Sequence, residues 1–83
     1  MDVKLIKGND WEGLYVNGIL EEEGHTLNEG EERVVYFLML SDDIGFNLYD
    51  IKFYSATEED EDYLYRRGRF PNKLEDLSGD YNE

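Results

Sequence analysis

Residues 11–23 read WEGLYVNGILEEE, and this stretch decides the fold. Trp11 to Val16 alternates, with Leu14 and Val16 on one side and Trp11 and Tyr15 on the other, the period-2 signature of a strand. Asn17-Gly18 then separates two apolar runs. Both residues tolerate positive φ, which a type I′ turn requires at its two central positions, so the dipeptide predicts a tight hairpin. Ile19 to about Glu23 is the returning strand. Glu21 and Glu23 fall on one face of it, roughly 6.5–7 Å apart.

Toward the N-terminus, Met1 to Lys7 has strand character, with Val3 and Leu5 on one face and Lys4 and Ile6 on the other. Gly8-Asn9-Asp10 is turn chemistry. The first 23 residues therefore predict a three-stranded antiparallel meander. Toward the C-terminus, Gly24-His25 breaks the strand pattern. Thr26-Leu27-Asn28-Glu29 reads as a capping box at a helix start. Gly30 weakens that first turn, which moves the start toward Glu31. Leu27, Val34, Phe37, Leu38 and Leu40 or Ser41 follow near helical spacing, and Asp42, Asp43 and Gly45 end the helix. A fourth strand runs from Tyr49 to Ser55, with Tyr49, Ile51 and Phe53 on one face and Leu48, Lys52 and Tyr54 on the other.

Residues 57–70, TEEDEDYLYRRGRF, explain themselves as helix design. Thr57 caps the start, with Asp60 three residues on. Carboxylates from Glu58 to Asp62 meet the positive end of the dipole, Arg66 and Arg67 meet the negative end, and Gly68 suits the position after the helix. Five acids in a row wrap more than one turn, so some also project to solvent. Pro71 opens a short terminal helix through Leu77, anchored by Phe70, Leu74 and Leu77. Ser78 to Glu83 reads as a frayed tail.

The predicted fold class is α+β, in the order β-β-β-α-β-α, with one small sheet packed by helices. Sheet order 3-2-1-4, with strand four parallel to strand one, satisfies the connection rules. The first helix then covers Val3, Leu5, Leu14, Val16, Ile51 and Phe53. The other face presents Trp11, Tyr15, Tyr54 and Ile6. Two readings of that face stand side by side. Either the second helix and the Phe70 segment cover it as a second small core, or it is an open aromatic patch ringed by carboxylates, which would bind protein.

Size and charge bound the function. Eighty-three residues make one domain, 1–83, without cysteine. A chain this short buries only about 60–65% of the surface it exposes when unfolded. Val34 to Leu40 is the longest apolar run, far below the ~20 residues that span a bilayer. This reading expects a cytoplasmic protein with no membrane contact. Net charge is −13, from 21 acids and 8 bases, yet 12 residues are aromatic, too many for a solvated acidic tail. Such a domain repels nucleic acid and attracts basic partners.

No motif for chemistry stands out. His25 is the single histidine and has no signalled nucleophile, base partner or pocket. Ser41, Ser55 and Ser78 lie in no catalytic motif. Asp60 and Asp62 match the start of a calcium loop, but Leu64 and Tyr65 stand where Asp or Asn and Gly belong. There is no Gly-rich phosphate loop. Arg66, Arg67 and Arg69 read as partners for the domain's own acids. The expectation is no enzyme, no cofactor and no metal.

Carboxylates held on rigid elements can imitate the charge of nucleic acid. The residues expected to do so are Glu21, Glu23, Glu29, Glu32, Asp42, Asp43, Glu58, Glu59, Asp60, Glu61 and Asp62, gathered on one continuous face. Trp11, Tyr15 and Tyr54 would add a less salt-sensitive contact. In size, acidity, lack of cysteine and aromatic content the whole chain resembles phage-encoded DNA-mimic inhibitors, such as uracil-DNA glycosylase inhibitors and some anti-CRISPR or anti-restriction proteins. That resemblance implies an inhibitor acting in a bacterial host cell on a basic, nucleic-acid-binding enzyme, with no direct contact to nucleic acid. DWEGLYVNG with Glu23-Gly24-His25 is also similar to small bacterial and phage open reading frames, which implies no activity. The alternative is an acidic adaptor or regulatory module without nucleic-acid mimicry, its acids scattered among Lys4, Lys7, Lys52 and the arginines.

Overall fold

The computed structural model describes residues 2–9, 11–25 and 31–81, apart from the side chains of His25, residues 31–36 and Leu48. The Thr26–Glu29 capping box, with Glu29, lies outside the described residues, as do the side chains of Glu32 and Val34. Among the described residues four strands and two α-helices follow in the expected order: β1 Val3–Lys7, β2 Trp11–Val16, β3 Ile19–His25, α1 Glu31–Ile44, β4 Ile51–Ser55 and α2 Glu58–Arg67. Asn17 and Gly18 have φ of 52° and 80°, as the type I′ hairpin demands. The Asn17 amide donates to the Asp2 carbonyl at 2.7 Å, and its side-chain oxygen accepts from the Asp2 amide at 2.9 Å. The turn thereby also fixes the start of β1. Sheet order is β3-β2-β1-β4, with β1 antiparallel to β2 and parallel to β4.

The expected boundaries need four corrections. β3 continues through Gly24 and His25, which pair with Glu12 and Trp11. Within it, Leu14 pairs with Glu22 and Tyr15 with Leu20, so Glu21 is the extra residue of a bulge. The bulge breaks alternation and puts Leu20 and Glu23 on one face, so spacing no longer makes Glu21 and Glu23 a pair. β4 begins only at Ile51, because Leu48–Asp50 forms a 3₁₀ turn. The terminal helix predicted after Pro71 is a 3₁₀ turn at Leu74–Asp76. The backbone before it is committed to β3: the Leu20 amide donates to Asn72, the Leu74 amide donates to Gly18, and Ile19 bridges Lys73.

The sheet is apolar on both faces. Phe37 of α1 and Phe46 close one core over Val3, Leu5, Leu14, Val16 and Ile51. Leu64 of α2, Phe70, Leu77 and Tyr81 close the other over Ile6 and Tyr15, with Trp11, Leu20 and Tyr54 half-buried at its margin. The aromatic face is therefore a second core, not an open patch. Phe53 departs from expectation in the other direction. It sits at the sheet's edge, 66% exposed, outside the cover of α1.

Phe70 is fully buried, and Gly13 of β2 makes room for it. A Cβ at Gly13 would lie 2.7 Å from the Phe70 ring. Gly13→Ala should therefore lower unfolding free energy by about 1–3 kcal/mol through overpacking, read from the urea midpoint at unchanged slope.

Candidate interaction surface

α2 forms where the local chemistry asks for it. The Thr57 hydroxyl accepts from the Asp60 amide at 3.3 Å, and Gly68, at φ 72°, returns its amide to the Leu64 carbonyl at 2.7 Å. The second half of a capping box would have the Asp60 carboxylate reach the Thr57 amide directly. Here a phenol is inserted between them. The Thr57 amide donates to Tyr81 Oη at 3.1 Å, and Tyr81 Oη donates to Asp60 Oδ2 at 2.6 Å.

Asp60 is 2% exposed, although it stands in the middle of the acidic run. Besides Tyr81, its carboxylate accepts from the Ser78 amide at 2.7 Å, the Ser78 hydroxyl at 2.9 Å and the Gly79 amide at 2.9 Å. Burial works to raise its pKa, but the Tyr81 hydroxyl, the two amides and the Ser78 hydroxyl outweigh burial and hold it below the ordinary carboxylate value. Burial, aided by Asp60, pushes the Tyr81 phenol up. Two expectations change here. Asp60 is a structural anion and not a partner contact, and Ser78 to Tyr81 is pinned and not frayed.

Glu23 is also committed internally. Its Oε1 accepts from Trp11 Nε1 and from the Phe70 amide, each at 2.8 Å. Tyr15, expected to touch a partner, is fully buried. Its hydroxyl donates to the Pro71 carbonyl at 2.6 Å, and its ring meets Phe70 edge-on at 6.1 Å. Burial first, then the charge of Glu23, raises the Tyr15 pKa strongly. Tyr54 stacks edge-on against Tyr81 at 5.7 Å. Trp11, half-buried, still reaches a small cleft shared with Glu61, Leu64 and Tyr65.

The remaining expected acids fall in three places. Asp42 and Asp43 are exposed in the last turn of α1, on one side of the sheet. Glu58, Glu59 and Asp62 are exposed on α2, on the other side, with Glu61 half-buried toward Trp11. Glu21 is exposed at the β3 bulge. The sheet lies between the α1 and α2 sets, so one continuous face cannot hold them all. On the α2 side Glu59, Asp62 and Asp76 surround a shallow depression of about 350 Å³ that reaches Asp60 and Ser78. Asp76 is not among the acids that the sequence singles out; its place beside α2 comes from the Ser78 and Gly79 hydrogen bonds to Asp60. Arg66 and Arg67 serve their own helix. Arg66 pairs with Asp62 at 3.3 Å, and the Arg67 guanidinium lies 5.5 Å from the Tyr63 ring centre. Among the described residues no three His, Asp or Glu side chains converge to hold a metal ion, and no helix is long and apolar enough to cross a membrane.

No protein-family model, no curated protein and no solved structure matches the chain.

Asp60→Asn should cost about 2 kcal/mol at neutral pH, the scale of hydrogen bonds to a charged group. The sign with pH follows from the depressed pKa. The contribution is full above the unfolded value near 4 and is lost as pH falls through the lower folded value. The stability difference between wild type and Asp60→Asn, from urea melts at a series of pH values, should therefore shrink on acidification.

Proposed function

We propose that the protein is a small acidic inhibitor that presents nucleic-acid-like charge to a basic, nucleic-acid-binding enzyme, of the kind phage deploy in a bacterial host. The face it uses is that of α2 and the Leu74–Asp76 turn. The observation that carries this reading is the convergence of exposed Glu59, Asp62 and Asp76 around one depression, where three carboxylates outnumber the single cation, Arg66, that pairs with Asp62. Asp60 beneath them fixes α2 to the chain that bears Asp76 and Ser78. Glu58 and Asp62 stand four apart on the helix and Glu59 and Asp62 three apart, spacings at which Cβ atoms are about 5–6 Å from each other. Rigidly spaced carboxylates lose little entropy on meeting a basic groove, and the −13 charge steers the encounter. One observation favours the adaptor alternative: acids also sit on α1, behind the sheet, where a single groove does not reach them.

The test is capture from bacterial lysate on the immobilised protein, with stepped salt and then DNA as competitor. The expected partner is a nucleic-acid enzyme released by both. The triple variant Glu59→Gln, Asp62→Asn, Asp76→Asn should slow its association at low salt by about tenfold. The pair Asp42→Asn, Asp43→Asn should leave it unchanged. A partner indifferent to DNA would replace the mimic with an adaptor.

A further inference from the structure

The outer edge of β4 is explained neither by the acidic face nor by the two cores. β4 ends the sheet, and among the described residues no strand lies beyond it. The Ala56 amide donates to the Lys7 carbonyl at 2.8 Å. Backbone alternation therefore turns Lys52 and Tyr54 toward β1, and turns the N–H and C=O groups of Ile51, Phe53 and Ser55 outward. Proteins blunt such edges with proline, bulges or several charges. β4 pairs with β1 in unbroken register, contains no proline and carries one charge, Lys52. Phe53, whose register partner is Leu5, stands 66% exposed on the α1 side, and Tyr49 just before the strand is 94% exposed. Exposed carboxylates bracket the strand, Asp50 directly before it and Glu58 at the start of α2.

We infer that β4 is a docking edge for an extended basic segment of a partner protein, which adds to the sheet as a further strand. Its backbone pairs with Ile51, Phe53 and Ser55. An apolar residue at its centre covers Phe53, and cationic residues toward its ends meet Asp50 and Glu58. Charge chooses this occupant. A second copy of the chain would bring another −13 against the same edge, whereas a basic strand is attracted to it. The contact shares Glu58 with the α2 face but does not involve the depression at Glu59, Asp62 and Asp76, and it holds whether or not that face imitates nucleic acid.

The probe is a seven-residue peptide with arginine at both ends, valine and threonine alternating between them and leucine at the centre. It is titrated into the ¹⁵N-labelled protein and followed by amide chemical shifts. The Phe53 and Ser55 amides should move most. Phe53→Ser, at an exposed position that leaves the fold intact, should weaken binding about fivefold or more, whereas Tyr65→Ser on α2 should not. A peptide N-methylated at its central residues should not bind, because pairing needs its amides. Shifts confined to α2, equal binding of the N-methylated peptide, or no shift along β4 would each overturn the proposal.

Discussion

The carboxylate of Asp60 is the constraint on which the C-terminal half of the structure depends. A buried carboxylate is expensive unless donors surround it. Here two amides and two hydroxyls do so. The donors come from the far end of the chain, so satisfying the charge also carries Ser78, Gly79 and Tyr81 onto α2. Tyr81 then lies against Tyr54 and supports the Thr57 amide, closing the second core and completing the helix start together. A domain of this length has about 4–12 kcal/mol of stability to lose. With no disulfide available, a polar clasp of about 2 kcal/mol is a large share of that.

The same economy explains the aromatic content. A single mixed sheet that is apolar on both faces needs two covers, and the described residues supply two α-helices for the task. α2 is short and mostly polar, so much of the second core comes from Tyr15, Phe70, Tyr54, Tyr81 and Trp11. Where a polar handle is described it is used: Tyr15 on Pro71, Trp11 on Glu23, Tyr81 on Asp60. This is the requirement placed on buried Tyr and Trp. Among the described residues the aromatics left outside are different ones, Tyr49, Phe53 and Tyr65.

Features governed by neighbours in sequence were legible in advance. Asn17-Gly18 announces its turn through the φ values it tolerates, Thr57 and Gly68 announce the ends of α2, and the strand order follows from connection rules. Features governed by distant partners were not. In charge and neighbours Asp60 looks like Glu59 and Glu61. Only its spacing from Thr57 hints at a special role, and the donors that define it lie some twenty residues away. The bulge at Glu21 is hidden because three consecutive glutamates carry no periodicity. Pro71 suits a helix start, yet the chain beyond it is drawn alongside β3 by hydrogen bonds to Gly18 and Leu20. Of the residues expected to meet a partner, the structure withdraws Tyr15, Glu23 and Asp60 into the fold, and it places Asp76 beside Glu59 and Asp62.

Asp60 holds the end of the chain to α2, and amide hydrogen exchange measures that directly. The Ser78 and Gly79 amides should exchange slowly at neutral pH, nearly as slowly as the amides of β1. In Asp60→Asn they should exchange freely while β1 and β2 keep their protection. Rapid exchange of Ser78 and Gly79 in the wild-type protein would contradict the clasp, and with it the fixed acidic face built upon it.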